Sequence, residues 1–246
     1  MKIIILLFIF LSLILSFSSV VYADNQIISD VSWPNCKANL SNIAKIGIVG
    51  VNGGLDYSYN SCLFNEIQVF HNSYALYLNT GYPGNNYGLK YQHYPKNCRV
   101  NNYLCLAYNY GYNDALKSIK YASSQDTHSF VWWLDVETDN SWTNNYQENR
   151  ASLQGMINAL KKHIFMPTIG FYSYPAQWIL ITKNWQNHSP IWVATALTNK
   201  KEASAYCNDS FNSGFVWLTQ YTTKFDFNYS CLPKKIYDFK IRISGK

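Results

Sequence analysis

The chain has 246 residues, a formal net charge of +6 at neutral pH and a high aromatic content, with 21 tyrosines and 8 tryptophans. Its basic residues are scattered along the sequence, which argues against a nucleic-acid-binding protein. The charge is that of an ordinary soluble domain or, alternatively, of a protein attracted to an anionic polymer such as a bacterial wall. The tyrosines and tryptophans exceed what a compact core needs, so several of them are candidates to line a polar groove.

The N-terminal segment has the features of a secretory signal peptide. Lys2 precedes an apolar run over residues 3–15, and Val21-Tyr22-Ala23 carries the small residues of a cleavage site. We predict cleavage after Ala23, a mature domain over 24–246 and a secreted, extracellular protein. An uncleaved membrane anchor is the alternative. No second apolar run reaches the ~18 residues of a transmembrane helix, so no membrane association is expected after cleavage.

Short apolar segments that end in polar or glycine-rich stretches are predicted to form strands. Two segments with helical spacing, 113–123 and 149–163, lie between them. This alternation favours a mostly parallel sheet, and seven or eight strands in one domain favour an irregular (β/α) TIM-type barrel of the α/β class. The predicted strands cover residues 27–31, 46–51, 74–78, 130–136, 168–172, 191–196 and 215–218.

All six cysteines lie in the predicted mature domain. An even number in an oxidising compartment favours three disulfides, although six cysteines allow 15 pairings. We predict pairing between neighbours along the chain, because each bond then closes a loop within one part of the fold. No Cys-x-x-Cys occurs, which argues against a zinc ribbon or a redox pair. The predicted pairs are Cys36–Cys62, Cys98–Cys105 and Cys207–Cys231.

The most informative segment is the predicted strand over 130–136, which ends in Asp135-Val136-Glu137. Side chains alternate along a strand, so Asp135 and Glu137 point to the same side with Cα atoms about 6.6 Å apart. Two carboxyls at this range can hold unequal pKa values, as acid-catalysed cleavage of a glycosidic bond requires. A structural ion pair or a cap for the following segment is the alternative.

Other candidate chemistry is sparse in this sequence. Asp30 ends the first predicted strand, where a turn or cap role is the alternative, and Asp226 by itself says little. The five histidines show no metal-ligand spacing, and neither a phosphate-binding loop nor a dinucleotide-binding fingerprint occurs. No metal and no cofactor are therefore expected.

Three motifs in a fixed order identify a family. They are Asp30-Val31-Ser32, Asp135-Val136-Glu137, and Gln220-Tyr221 followed by Asp226-x-Asn228. With these motifs the chain resembles the glycoside hydrolase family 25 lysozymes, the secreted N-acetylmuramidases, over about residues 27–231. Longer segments such as Trp132-Trp133-Leu134-Asp135-Val136-Glu137-Thr138 are similar to an exported bacterial branch that carries a family-25-like domain.

The resemblance implies an incomplete (β/α) barrel with an acidic groove. Glu137 would protonate the glycosidic oxygen, Asp135 and Asp30 would stabilise or position the sugar, and Asp226 would complete the acidic cluster. Aromatic residues near strand ends are candidates to stack on sugar faces, with core packing as the alternative, and asparagines there can bond sugar hydroxyls or form turns. The candidate substrate-binding residues are Tyr77, Asn79, Tyr172, Trp192 and Gln220, with Asn52 assigned to a turn.

We therefore expect a secreted, monomeric glycoside hydrolase that acts on peptidoglycan or another amino-sugar polymer. A non-catalytic carbohydrate- or wall-binding module on the same barrel is the first alternative, and an inhibitor or interaction protein is the second. Three features that border the groove depart from the lysozyme pattern: Asn35 after the first motif, the loop 50–54, and an apparent insertion over 90–105.

Overall fold

Eight strands close into one barrel in which each strand pairs with its neighbours in chain order. The structure is a computed structural model, and it describes residues 28–41 and 43–231. The predicted signal peptide and its cleavage site lie outside the described residues. The strands are β1 (Ile28–Val31), β2 (Ile46–Gly50), β3 (Tyr74–Asn79), β4 (Val131–Asp135), β5 (Thr168–Ser173), β6 (Ile191–Val193), β7 (Val216–Thr222) and β8 (Asp226–Ser230).

The barrel is parallel except at its last strand. Strands β1 to β7 run parallel to one another, whereas β8, which pairs with both β7 and β1, runs antiparallel to them. This topology confirms the predicted irregular (β/α) barrel and places its irregularity at β8. The predicted strands do not include β8, although its polar residues Asp226, Asn228 and Ser230 alternate with aromatic ones as in a half-buried strand.

The helices extend beyond the two predicted segments. The segment 113–123 is only the second half of a 22-residue helix that begins after the N-cap Asn102, whose side chain accepts a hydrogen bond from the Cys105 N–H. The prediction was wrong about this start, because the first half is rich in tyrosine and lacks an aliphatic stripe. The helices are α1 (Leu63–Phe70), α2 (Asn85–Gly88), α3 (Tyr103–Ser124), α4 (Tyr146–His163), α5 (Pro175–Thr182) and α6 (Lys200–Ser204).

The strands are buried on both faces, which explains the continuous apolar run before Asp135. Trp133 packs inside the barrel, whereas Trp132 and Leu134 pack outside it against a core that includes Met156 of α4. Alternation along β4 therefore directs Trp133 and Asp135 to the barrel interior. Packing of Trp133 inside the barrel and of Trp132 outside it therefore holds the Asp135 carboxyl inside the mouth of the barrel.

Helices α3 and α4 approach each other closely on the flank of the barrel. A Cβ atom on Gly111 would lie 2.0 Å from the carbonyl oxygen of Ser152, and one on Gly155 would lie 2.0 Å from that of Tyr108. Only glycine at both positions allows this backbone contact, so these helices form a rigid wall behind the loops that follow β2 and β3.

Three disulfides join Cys36 to Cys62, Cys98 to Cys105, and Cys207 to Cys231. The predicted neighbour pairing is therefore confirmed. The apparent insertion over 90–105 is closed by the second of these bonds. Within the described ranges, no helix is long and apolar enough to cross a bilayer.

Candidate active site

Four acids lie at one end of the barrel, where the parallel strands end and the antiparallel β8 begins. We call Asp30, Asp135, Glu137 and Asp226 the mouth acids. Asn79 lies beside Asp135 in the register of β3 and β4, and Asp30 lies opposite Asp226 in that of β1 and β8. This end of a (β/α) barrel is where active sites form.

Asp135 is buried and has one free acceptor. Its side chain is 3% exposed, and its Oδ2 accepts a hydrogen bond of 2.5 Å from the Asn79 amide. Its Oδ1 has no hydrogen-bond partner among the described residues. Burial raises the pKa of Asp135 well above its ordinary value, and the nearby Glu137 carboxyl raises it further. A buried, unsatisfied carboxyl oxygen at a barrel mouth is suited to contact a ligand.

The side chain of Asn52 holds the backbone of Asn79 in place. Asn52, in the bend after β2, is 1% exposed. Its amide donates to the Asn79 carbonyl at 2.8 Å, and its own oxygen accepts from the Asn79 N–H at 3.0 Å. The turn assigned to Asn52 from the sequence describes its backbone but misses the function of its side chain, which holds Asn79 in place beside Asp135.

Glu137 differs from Asp135 because it is only partly buried. Burial raises its pKa to about 7, with smaller contributions from the charges of Asp139 and Asp226. Among the described residues, no hydrogen bond or salt bridge involves its carboxyl group. Its backbone is fixed instead, since the Glu137 carbonyl accepts from the Trp142 indole at 2.9 Å and the Asn140 N–H at 3.2 Å. The group is thus a protonatable acid on a fixed backbone, with access to solvent.

Asp30 is held on both oxygens by amide groups. Gln220 donates to Oδ1 at 3.1 Å and Asn228 donates to Oδ2 at 2.7 Å. Burial and the charge of Asp226 raise the pKa of Asp30 to about 8, although the two amide hydrogen bonds oppose that change. Asp226 is itself anchored, because it accepts a 2.6 Å hydrogen bond from the Thr222 hydroxyl.

The amides that hold Asp30 are oriented in turn by two aromatic residues. The Tyr172 hydroxyl donates to Gln220 Oε1 at 2.7 Å, and the Trp192 indole donates to Asn228 Oδ1 at 2.6 Å. The two rings lie 4.3 Å apart. Gln220 and Tyr172 therefore hold Asp30 in position rather than contact a substrate. Asn228 has the same role, although the sequence identified it only as part of a motif.

The three aromatic candidates lie in the barrel interior rather than on an open surface. Trp192 is 2% exposed and packs against Trp133 at 5.8 Å and Tyr77 at 6.1 Å. Its ring has no face open to a sugar, so the packing alternative describes it. Tyr172 is also buried, whereas Tyr77 is partly exposed beside the acids. Of the three, Tyr77 alone is not classed as buried.

One group of potential metal ligands occurs among the described residues, formed by Cys36, Cys62 and Glu66. Both sulfurs are joined in a disulfide, so neither is available as a thiolate ligand. The chemistry that the described site supports is therefore proton transfer and charge stabilisation by carboxyl groups.

Comparisons with known proteins support the family and the fold. A family model described as lysozyme-like protein 1 matches residues 46–224, whereas no match is found among curated proteins. The solved structure of GHIP, a glycosyl hydrolase 25 virulence factor of Streptococcus pneumoniae, is 15% identical, with a TM-score of 0.57 over 90% of this chain and 93% of that one. The catalytic domain of endolysin ply40 from Listeria monocytogenes bacteriophage P40 is 16% identical, with a TM-score of 0.56 over 90% and 98%. These two likenesses establish the fold.

Proposed function

This chain belongs to the lysozyme-like protein 1 family, and we propose that it is a secreted hydrolase that cleaves peptidoglycan or a related amino-sugar polymer, with Glu137 as the general acid. One observation carries the proposal. The Glu137 carboxyl is partly exposed, has a pKa of about 7 and lies beside the buried acid Asp135. A non-catalytic wall-binding module would not require an acid adjusted in this way.

Glu137 is proposed to donate its proton to the glycosidic oxygen as the bond from that oxygen to the anomeric carbon breaks. A general acid works best when its pKa lies near the working pH, because it is then both protonated and ready to release its proton. Partial burial supplies this pKa, as it does for the acid of other glycosidases. The absence of a salt bridge to Glu137 among the described residues leaves the proton free for transfer.

Asp135 is proposed to contact the sugar at the cleaved bond. Asn79 occupies one of its oxygens, Oδ1 is unpaired, and the Glu137 charge raises the pKa of Asp135, so the two carboxyls are near each other. Oδ1 would accept a hydrogen bond from the acetamido N–H of the sugar, and the ionised carboxylate would stabilise the positive charge that develops on the sugar. The pair supplied by Asn52 and Asn79 keeps Asp135 in the required orientation.

Asp30 and Asp226 are proposed to complete the mouth in different ways. Asp30 is fixed by two amides and is 8% exposed, so it would shape the floor of the groove. Asp226 lies nearer solvent and influences both Asp30 and Glu137 through its charge. The charge of Asp226 would favour a substrate that gains positive charge in the transition state.

Secretion is supported by the sequence features of the first 23 residues and by the three disulfides, which are typical of oxidising compartments. The substrate class is supported by the lysozyme-like family and by the two similar solved structures, a glycosyl hydrolase 25 and the catalytic domain of a phage endolysin.

The test is mass spectrometry of the soluble products formed from peptidoglycan and, separately, from chitin oligomers. The purified, disulfide-bonded protein and its Glu137→Gln variant are compared. We expect muropeptides from the wild type and none from the variant, and the sugar at the new reducing end identifies the cleaved bond. Absence of products from either substrate, with both proteins folded, would contradict the proposal and favour the non-catalytic module.

A further inference from the structure

A second groove lies away from the mouth acids, on the flank of the barrel. It has a volume of about 460 Å³ and is formed by the loop after β2, helix α3 and the segment after α2. We call it the tyrosine groove. Its lining includes Tyr57, Tyr59, Tyr91, Lys117, Lys120 and Tyr121. Among the described residues that line it, none is acidic.

The rings of the groove are arranged as a platform. Tyr59 is 50% exposed and lies 4.5 Å from Tyr121, measured between ring centroids. Tyr57 stacks on Tyr91 at 5.0 Å with an interplanar angle of 20°. Exposed tyrosine rings combine an apolar face with a hydroxyl edge, which suits the mixed surface of a sugar. The platform is therefore suited to carbohydrate rather than to a purely apolar ligand.

Hydrogen bonds to helix α3 hold the loop that carries this platform. The Lys117 ammonium donates to the Tyr57 carbonyl at 2.6 Å, and the Tyr121 hydroxyl donates to the Asn60 carbonyl at 2.6 Å. The buried Asp114 accepts from the Tyr57 N–H at 2.8 Å. Because the groove is fixed before a ligand arrives, binding would require little ordering of the protein.

The charge of the groove is positive. Lys117 lies 4.5 Å from the centre of the Tyr59 ring, and Lys120 is exposed, with no hydrogen bond or ion pair to another described residue. Burial raises the pKa of Asp114 beneath the loop to about 8, so this carboxyl does not neutralise the lysines at neutral pH. Aromatic faces with adjacent ammonium groups suit an amino-sugar strand whose attached groups carry carboxylates.

From these contacts we propose that the tyrosine groove is a second binding site for an acidic amino-sugar strand, which it holds while another part of the same polymer enters the barrel mouth. This inference rests on the proposed function for the identity of the polymer. Tyr57 and Tyr59 belong to the loop that follows β2, and the carboxyl end of β2 is at the same end of the barrel as the mouth acids. Two sites on one chain that engage one polymer strengthen binding to the insoluble wall without any change in the reacting groups.

The experiment measures binding of the Glu137→Gln protein to insoluble peptidoglycan from which other wall polymers have been removed, with chitin as the uncharged comparison. Binding needs no turnover, so this result is independent of whether hydrolysis occurs. We expect Tyr59→Ala with Lys120→Ala to weaken binding to peptidoglycan by about tenfold. The loss on chitin should be smaller, because chitin lacks the carboxylate that Lys120 would contact.

The matched control is Tyr103→Ala with Lys161→Ala, which removes an exposed tyrosine and an exposed lysine outside the groove. Both pairs lie on the surface, and near-ultraviolet circular dichroism verifies that each variant is folded. Equal binding by the two paired variants would overturn the proposal. Equal losses on peptidoglycan and chitin would overturn the assignment to an acidic strand.

Discussion

Two regions of the molecule contain buried acids with raised pKa values, yet they are built differently. At the mouth, Asp135 keeps one oxygen unpaired and Glu137 is partly exposed. On the flank, Asp114 accepts the Tyr57 N–H with Oδ1 and also keeps its Oδ2 unpaired, while Asp56 accepts the Tyr110 hydroxyl. The flank acids tie a loop to helix α3, whereas the mouth acids line a space that a ligand can enter.

The comparison shows that a raised pKa does not by itself identify a catalytic acid. Burial is the largest cause of the raised pKa at Asp56 and Asp114, as it is at Glu137. What separates the regions is their place in the fold. Asp30, Asp135 and Asp226 belong to barrel strands and Glu137 follows β4, whereas Asp56 and Asp114 hold the loop after β2 against helix α3. The catalytic acid is therefore identified from its position in the fold, and the pKa of Glu137 then sets the pH range in which it can donate a proton.

The difference between the two regions is tested most strongly by neutralising one acid in each of them. We expect Glu137→Gln to lower kcat on a soluble amino-sugar oligomer by about 10²- to 10⁴-fold, because the proton donor is lost. Asp56→Asn should leave kcat within about twofold, since asparagine can still accept from Tyr110 and the flank acid takes no part in proton transfer. A large loss of kcat in Asp56→Asn, with the fold intact, would remove the distinction between the regions.

A smaller effect is expected from the support of Asp135. Asn79→Ala removes the amide that donates to Asp135 Oδ2. Loss of a hydrogen bond to a charged carboxylate corresponds to a decrease in kcat on the order of tenfold. The control is Asn158→Ala, which removes an asparagine that bonds the Tyr108 hydroxyl on the outer flank. Steady-state kinetics of both variants check this. If the two variants lose equal activity, Asn79 has no special part in the site.

The last prediction concerns stability rather than catalysis and comes from the flank. Asp114 has a pKa raised from 3.8 to about 8 in the folded protein, so the native state binds its proton more tightly than the unfolded state. Its contribution to stability is present below the unfolded pKa and is lost as the pH rises from about 4 to 8. Denaturant unfolding at several pH values measures this loss.

For the same reason, Asp114→Asn should flatten that decline. A single titrating group changes the free energy of unfolding by at most about 1.4 kcal/mol per pH unit, and the asparagine removes this contribution while it still accepts from Tyr57. Identical slopes for the wild type and the variant would show that Asp114 ionises as freely in the folded protein as in the unfolded chain.

The parts of the site that the sequence predicts are those determined by local geometry. The position of Asp135 at the end of β4 follows from the apolar run before it, and the Glu137 charge that raises the pKa of Asp135 agrees with the proximity expected for residues two apart. The disulfides follow from proximity along the chain. In each case the signal and the structure involve residues near one another in sequence.

The remaining parts depend on distant partners. The function of Asn52 is set by the backbone of Asn79, 27 residues away, and the amides that hold Asp30 come from β7 and β8 at the other end of the chain. Trp192 shows the converse, because an aromatic residue at a strand end is buried here by rings from three other strands. Periodicity in one segment carries no information about such contacts.

The most direct test of the central claim is the pH dependence of kcat/KM on a soluble amino-sugar oligomer. If Glu137 is the general acid, activity falls as the pH rises through about 7, because the donor loses its proton, and the residual activity of Glu137→Gln shows no such fall. A wild-type profile that stays level from pH 6 to 9, or the same fall retained by Glu137→Gln, would contradict the assignment of Glu137 as the proton donor.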